Sequence, residues 1–443
     1  MTTPRPTTRP RSWGAAIDDT EAHKAWALAD EPDERSGFVV TQSAARPQID
    51  FLDPQLWLEP GRFTSPLVEQ GHVAAHLPAT GSEMFFRHRE VAAALNDARL
   101  GAMGTRAFEA LGWNDGPFVE WMRRNIVSVD PPAHTRLRSL VNRAFTPRRI
   151  EALAPTVRRV ARELALSMAE RSQVDLYESF AQRLPLQIIL QMLGIPDVDH
   201  AQMQRWTEAI NVATGLPRPE ARAAADAAVT GMTDYVTEFI AERRKRPGDD
   251  LLSGLIEAEE DGERLLPEEL PVMVLQLLVA GHETTRNLIG NGLYCLLQHP
   301  DQLQALRRAP SALPGAVEEM LRFEPPLIWV ARTVREDFEI SGVPVRQGQL
   351  LLLNLAAANR DPAVHPDPHS FDISRSERRI LTFGYGAHFC IGANLARLEG
   401  RIAFEVLLER FSSLEFDGEP PRFAAFTALR TLEAFPLRVI PAN

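Results

Sequence analysis

Cysteine is almost absent from this chain: Cys295 and Cys390 are the only two among 443 residues. They sit in very different sequence surroundings, and two thiols cannot staple a chain this long. A disulfide framework is therefore not expected, and a reducing cytoplasm is the expected compartment. Long apolar runs are missing too. The longest lies near Leu270 to Gly281 and is interrupted by Pro271 and Gln276, well short of the about 18 residues that a membrane span needs. Met1 to Gly14 is rich in Pro, Thr and Arg without an apolar stretch, so it reads as neither a signal peptide nor an anchor. Basic charge is not in excess, since 48 Lys and Arg face 59 Asp and Glu for a net charge of -11. That balance argues against a nucleic-acid partner, which would require a dense cationic surface. A soluble protein without membrane anchor is expected, and no internal repeat is evident.

What is present is an ordinary globular composition, 44% hydrophobic and 24% charged, long enough for one large core or a few domains of about 150 residues. Residues 1–48 carry scattered Pro, Arg, Asp and Glu without periodicity and read as a mobile N-terminal extension. Short strand-like runs follow at His72–Leu77 and Glu83–Arg87. Apolar residues then recur at helical spacing over Ile150–Glu170, Leu184–Leu193 and Ala221–Arg244, punctuated by Pro217, Pro219 and Pro247. A long helix is predicted for Pro267–His299 and another for Leu313–Phe323, stopped by Pro325–Pro326. Strands follow at Phe338–Ile340, Val343–Val345 and Leu350–Leu355, with Ser341–Gly342 as a turn. A last helix spans Ile391–Phe411, before short strands within Leu414–Ile440. The fold class is mainly α with small β-sheets.

The densest chemical signal is the run from Phe383 to Arg397, FGYGAHFCIGANLAR. Cys390 lies just before a helix whose apolar face is Leu395, Leu398, Ile402 and Val406. A helix N-terminus offers unpaired N–H groups and partial positive charge, and both favour the metal-binding thiolate. Gly384 and Gly386 permit a tight turn of amides toward the sulfur. Gly392, without a Cβ, lets the helix pass close to a flat cofactor. A buried inert thiol is the commoner fate of a lone cysteine. Cys295, within the apolar run Leu293–Leu297, gets that reading. For Cys390 the flanking glycines, His388 and Arg397 argue otherwise. A dinucleotide fingerprint fails because its third glycine would fall on Phe389.

This segment resembles the haem-binding signature of the cytochrome P-450 superfamily, Phe-Gly-x-Gly-x-His-x-Cys-x-Gly followed by Leu-Ala-Arg. The resemblance extends over about residues 50–440 through further segments in the expected order. It implies the superfamily fold over residues 49–443 as a single catalytic domain. In that fold, a triangular prism, the haem lies between the long central helix and the cysteine-loop helix. It implies heme b (protoporphyrin IX iron) with Cys390 as the axial metal ligand, and Phe383, Gly384, Gly392 and Ala280 against the cofactor.

Ala280-Gly281-His282-Glu283-Thr284-Thr285 falls mid-way along the predicted long helix. A threonine there can bond a carbonyl one turn back and open the helix locally. The plain alternative is a polar interruption on a buried helix. The resemblance places Glu283 and Thr284 as the catalytic proton-relay pair. His282-Glu283 also begins a zinc-protease pattern, but its second histidine would fall on Arg286. Asp130-Pro131-Pro132-Ala133-His134-Thr135-Arg136-Leu137-Arg138 reads as a helix start with Asp130 near the cap, and His134 and Arg138 share a face. By resemblance these two, with Arg332 and His388, bind the haem propionates. Arg136, Arg143, Arg148 and Arg149 better suit a solvated basic face and form a candidate docking patch for an electron donor. Glu319 and Arg322 are one turn apart and can pair. With Phe323-Glu324-Pro325-Pro326 they resemble the family's Glu-x-x-Arg motif, for which a structural role is expected. Asn359-Arg360-Asp361-Pro362, with Asp367-Pro368 and Phe371, reads as fold-supporting.

The resemblance implies insertion of one oxygen atom from O2 into a hydrophobic small molecule, with electrons from separate proteins, ferredoxin and ferredoxin reductase. Substrate-pocket candidates fall within Met103–Phe108, Asn211–Gly215, Leu277, Ile328–Ala331 and Phe426–Ala428. They are Met103, Phe108, Asn211, Leu277, Ile328, Trp329, Val330, Phe426 and Thr427, each equally compatible with core packing. Trp329 is expected beside the haem, where its bulk would shorten the pocket. Two other functions are compatible with the cysteine loop, a peroxide-driven peroxygenase and a haem-holding sensor or carrier. The Glu283-Thr284 pair favours the monooxygenase over both.

Overall fold

A computed structural model describes residues 46–442 apart from 143–144, 197–199, 216–218, 261–265 and 377–378. Its axis is the helix Glu269–Gln298, thirty residues long and buried for most of its length. A helix that is apolar nearly all round belongs in the middle of a core, and this one is packed on several sides. Among its neighbours are the helices Arg183–Leu193, Pro219–Lys245, Leu313–Phe323 and Ala393–Arg410. The sequence sets the ends of these helices. The central helix stops before Pro300, which lacks the N–H to continue it. Arg183–Leu193 is closed by Gly194 in the left-handed conformation (φ 70°).

The strands build three small sheets. One has the order β1-β2-β8-β5-β3, from Ala74–Leu77 (β1), Ser82–Phe85 (β2), Leu100–Ala102 (β3), Trp329–Val334 (β5) and Leu350–Asn354 (β8). The second joins Gln173–Asp175 (β4), Phe411–Phe416 (β9) and Pro436–Pro441 (β10). The third is the hairpin Phe338–Ile340 (β6) and Val343–Val345 (β7). Its turn residues Ser341 and Gly342 both take positive φ (50° and 79°), as a tight two-residue hairpin turn requires.

Several expectations are adjusted. Ile150–Glu170 divides into Pro147–Glu151 and Ala154–Ala169, because Pro155 starts a new helix. The helix His200–Thr214 was not anticipated. Its buried stripe Met203, Thr207, Ile210, Ala213 includes a polar residue that hides the period. Strand β5 was also missed, since Arg332 interrupts its apolar character. Most of the expected N-terminal extension, residues 1–45, lies outside the described residues. Residues 46–48 are not loose: His76 N–H donates to the Pro47 carbonyl at 2.9 Å, and Arg46 pairs with Glu83 at 2.8 Å. Among the described residues no helix is long and apolar enough to cross a membrane.

Candidate active site

The cysteine loop closes on itself through backbone bonds before its helix begins. Cys390 N–H donates to the Phe383 carbonyl (2.8 Å), and Phe389 N–H to the Gly386 carbonyl (3.0 Å). Gly384 and Gly386 take φ of 70° and 73°, which side-chain-bearing residues rarely adopt. A Cβ on Gly386 would also stand 2.7 Å from Asn96 Oδ1. Cys390 is an exposed residue, yet its thiol is crowded by surrounding protein. Burial pushes its thiol up from the usual value, against the pull of the Gly392 N–H, Arg138 and Arg397. The lowering groups expected from the sequence are in place, but desolvation outweighs them in the protonated thiol.

The slot in front of the sulfur has a structural cause. The cysteine helix packs on the central helix further along, where a Cβ on Gly400 would meet Leu288 at 3.0 Å. Before that contact the two chains leave space. Ala280 is exposed in the middle of an otherwise buried helix, and a Cβ on Gly392 would have no neighbour within 4 Å. Thr284 borders the same stripe. Its Oγ1 donates to the Ala280 carbonyl at 3.1 Å, the back-bond expected from the sequence, but the helix continues unbroken through it.

Beside the cysteine is a group of two guanidiniums and two imidazoles. The rings of His134 and His388 lie 4.1 Å apart. Among the described residues Arg138 bonds Asn142 (3.0 Å) and Arg332 the neighbouring carbonyl of Ala331 (3.0 Å), and neither bonds a carboxylate. Their one nearby carboxylate is Asp130, which is engaged by Arg335 (2.7 Å) and the Ala102 N–H (2.9 Å). Asp130 therefore joins β3 rather than capping its helix by side chain. His388 Nε2 is buried without a hydrogen bond, 4.0 Å from Asp130. Burial, then His134 and Arg332, depress the His388 imidazole to about 4. Two guanidiniums and two imidazoles beside an exposed cysteine fit a cofactor that carries two carboxylates and takes a thiolate ligand. On these observations the residues present fit a haem.

Glu283 is held differently from a free relay acid. It is 4% exposed; His282 Nε2 lies 3.1 Å from one oxygen, and Arg286 lies 3.0 Å from the other. Burial alone would raise its carboxyl, but Arg286 and His282 hold it at about 2.

Comparison with known proteins identifies the family. The cytochrome P450 family model matches residues 110–310 and 311–433. Cytochrome P450 107B1 of Saccharopolyspora erythraea is 46% identical over 317 residues, covering 71% of this chain and 77% of that protein. The cytochrome P450 monooxygenase PikC of Streptomyces venezuelae is 45% identical over 325 residues (72% and 76%). Among solved structures, the myxobacterial cytochrome P450 CYP267B1 in complex with myristic acid superposes with TM-score 0.82 at 35% identity, over 88% of this chain and 98% of that one.

This chain belongs to the cytochrome P450 family. It is accordingly a haem-dependent monooxygenase, an oxidoreductase that takes electrons from separate redox proteins.

In this cytochrome P450 the Glu319–Arg322 pair is fully enclosed, with Arg322 Nε 2.7 Å from Glu319 Oε2. Arg322 also donates to the carbonyls of Asn359, Pro368 and Ser370 (3.1, 2.8 and 3.0 Å). The pair thus binds the helix Leu313–Phe323 to the loop that precedes the cysteine, as the sequence suggested. Arg375, not anticipated, adds a contact to Glu319 at 3.3 Å. Asn359 bonds Thr382 (2.8 Å) and Leu381 (2.7 Å), and Asp361 bonds Arg87 (2.9 Å), so this loop is fold-supporting.

Glu399 was also missed. It lies among the apolar residues Leu398, Ile402 and Ala403, and burial pushes its carboxyl up to about 8, eased by Thr285. An acid on the apolar face of the cysteine helix was the signal available in the sequence.

The pocket candidates divide. Phe108 (1% exposed) packs against Trp113 and Phe118, and Ile328 (0%) faces no open space. Trp329 requires a correction. Strand alternation puts it on the face opposite Arg332, where it packs on Trp57 (ring centroids 4.5 Å) and Phe51 (5.8 Å). It does not shorten the haem pocket. Leu277 is buried, whereas Met103, Asn211, Val330, Phe426 and Thr427 stay partly accessible. A Cβ on Gly215 would meet Thr427 Oγ1 at 3.6 Å, so the chain around Thr427 meets the end of the helix that carries Asn211. In the basic patch, Arg136 is tied to Glu269 (2.6 Å) and joins two helices instead of facing solvent. Arg143 lies outside the described residues. Arg148 and Arg149 are exposed.

Proposed function

We propose that this chain binds heme b through the Cys390 thiolate and inserts one atom of O2 into a hydrophobic small molecule. The observation that carries this reading is the gathering of two guanidiniums, Arg138 and Arg332, with the imidazoles of His134 and His388 beside the exposed Cys390, the guanidiniums having no carboxylate bond among the described residues. When bound, the haem supplies the one-electron and oxygen chemistry, and thiolate ligation favours O–O cleavage. The chain's own groups do the rest. Arg138 and Arg332 take the propionates by charge-assisted bonds, with His134 and His388 closing the same edge. Gly392 and Phe383 with Gly384 border the sulfur side, and Ala280 leaves room on the other. Thr284 keeps a hydroxyl proton at the edge of the slot, and Glu283, ionised, receives protons and passes them toward Thr284 Oγ1.

The substrate class is supported by relatives. PikC is a monooxygenase and the CYP267B1 structure holds a fatty acid, so a mainly apolar molecule of that size range suits a pocket bordered by Met103, Val330, Phe426 and Thr427. Electrons come from a ferredoxin and its reductase in the bacterial cytoplasm. Their docking face is read at Arg148 and Arg149, on the short helix that packs on the cysteine helix, with Tyr385 and Phe389 exposed nearby in sequence to the ligand. The catalytic unit is residues 49–443.

The deciding experiment is the carbon-monoxide difference spectrum of the reduced protein. A far-red thiolate band is expected, and a band at the position of histidine-ligated haem would overturn the assignment. NADH consumption with a surrogate ferredoxin, repeated at rising salt, tests the donor. Rates should fall with ionic strength, and salt-independent rates would remove Arg148 and Arg149 from the docking face.

A further inference from the structure

We propose that His282 is a positioning residue that links the helix His200–Thr214 to Glu283, so that the seat of the acid follows the position of that helix. This rests on the reading of Glu283 as the relay acid.

The ring of His282 is completely buried and makes three contacts. Nδ1 lies 3.0 Å from the Leu278 carbonyl, and a carbonyl only accepts, so Nδ1 carries a proton. Nε2 lies 3.1 Å from Thr207 Oγ1 and 3.1 Å from a Glu283 oxygen. A proton on Nε2 therefore has two oxygens to choose between, the Thr207 hydroxyl and the Glu283 carboxylate. Thr207, itself 0% exposed, has one proton to give. The carbonyls of Met203 (3.0 Å) and Gln204 (3.1 Å) receive it, which leaves its lone pairs facing Nε2–H. One imidazole N–H is thereby shared between a hydroxyl on one helix and a carboxylate on another.

The other Glu283 oxygen is fixed from a different direction. Arg286 reaches it at 3.0 Å, bonds Thr431 Oγ1 at 2.7 Å and lies over the Tyr177 ring at 4.9 Å. Tyr177 in turn receives the Leu432 N–H at 3.2 Å. One arm of the clamp is therefore anchored to the C-terminal segment, and the other depends on the helix that also carries Asn211 at the pocket. A substrate that displaces this helix moves Thr207 from Nε2. The N–H then belongs to Glu283 alone, and the carboxylate becomes a weaker proton acceptor.

The test uses holoprotein in its reduced, carbon monoxide-bound, diamagnetic form with 15N-labelled histidine. The His282 signals are identified by their loss in His282→Asn. Thr207→Val is expected to move the Nε2 resonance, and Thr207→Ser, which restores the hydroxyl, to return it. Hydrogen exchange within 200–214 is expected to quicken about fivefold in His282→Asn, as the loss of one buried hydrogen bond would give. An Nε2 resonance indifferent to Thr207→Val, or Thr207→Ser matching Thr207→Val, overturns the link and leaves the relay reading standing. The relay reading is tested separately by the peroxide released per NADH in Glu283→Gln. If Nε2 responds to Thr207 but that ratio stays at the wild-type value, the link holds and the relay role of Glu283 fails.

Discussion

Thr284 donates its hydroxyl to the carbonyl of Ala280, one turn earlier and 3.1 Å away, at the accessible stretch of the central helix. On the relay reading proposed above, that hydroxyl proton is the one delivered to oxygen. Thr284→Ala should leave haem binding and the carbon-monoxide spectrum intact, while electrons divert to peroxide. The ratio of peroxide to NADH consumed should rise about tenfold, a modest share of what a positioned proton donor contributes. An unchanged ratio would mean that another group delivers the proton.

Cys390→Ser removes the sulfur but little volume. It should abolish the far-red band and the oxygenase activity together. Turnover that survives would displace Cys390 as the ligand.

Arg138 and Arg332 have no carboxylate bond among the described residues. Each charge-assisted bond to a propionate contributes about 1.5–3 kcal/mol. Arg138→Ala or Arg332→Ala should therefore speed haem loss to an apomyoglobin scavenger by about ten- to a hundredfold. Far-ultraviolet circular dichroism should not change.

Glu399 gives a pH-dependent stability of predictable sign. Its carboxyl titrates near 8 when folded, against an ordinary value of 4.5. Between those values the folded state keeps a proton that the unfolded chain has lost, so stability declines as pH rises, by about 1.4 kcal/mol per unit at most. Glu399→Gln should flatten the fall in melting temperature from pH 5 to pH 8. Parallel wild-type and variant curves would show the acid to be ionised in the fold.

Glu319→Ala strands Arg322 in a site 1% exposed. Breaking a buried pair on one side costs about 3–5 kcal/mol. The variant should lose haem as the loop from Asn359 to Arg375 loosens, and urea denaturation would measure it. A stability within 1 kcal/mol of wild type, about the value of a surface pair, would contradict the anchoring role.

Much of this was legible in the sequence because local chemistry wrote it there. Gly384 and Gly386 before Cys390 take the positive φ that glycine tolerates comfortably, and prolines end the helices where their missing N–H demands. The helix Leu313–Phe323 was readable to the residue. What local pattern could not convey were contacts between distant segments. Thr207 and His282, seventy-five positions apart, carry no mutual signal, and Thr207 disguised its own helix.

The sequence by itself determined the cofactor class, through a short run in which each residue type answers a local geometric need. The tertiary structure decided which charges are free. Arg136 and Arg138 are two residues apart on one helix. Only the placement of Glu269 makes the first a strut and leaves the second beside Cys390. It likewise turned Trp329 away from the slot and clamped Glu283 between His282 and Arg286. Partnership and burial belong to the folded neighbourhood, because electrostatic and packing energies depend on distances that the order of residues does not contain.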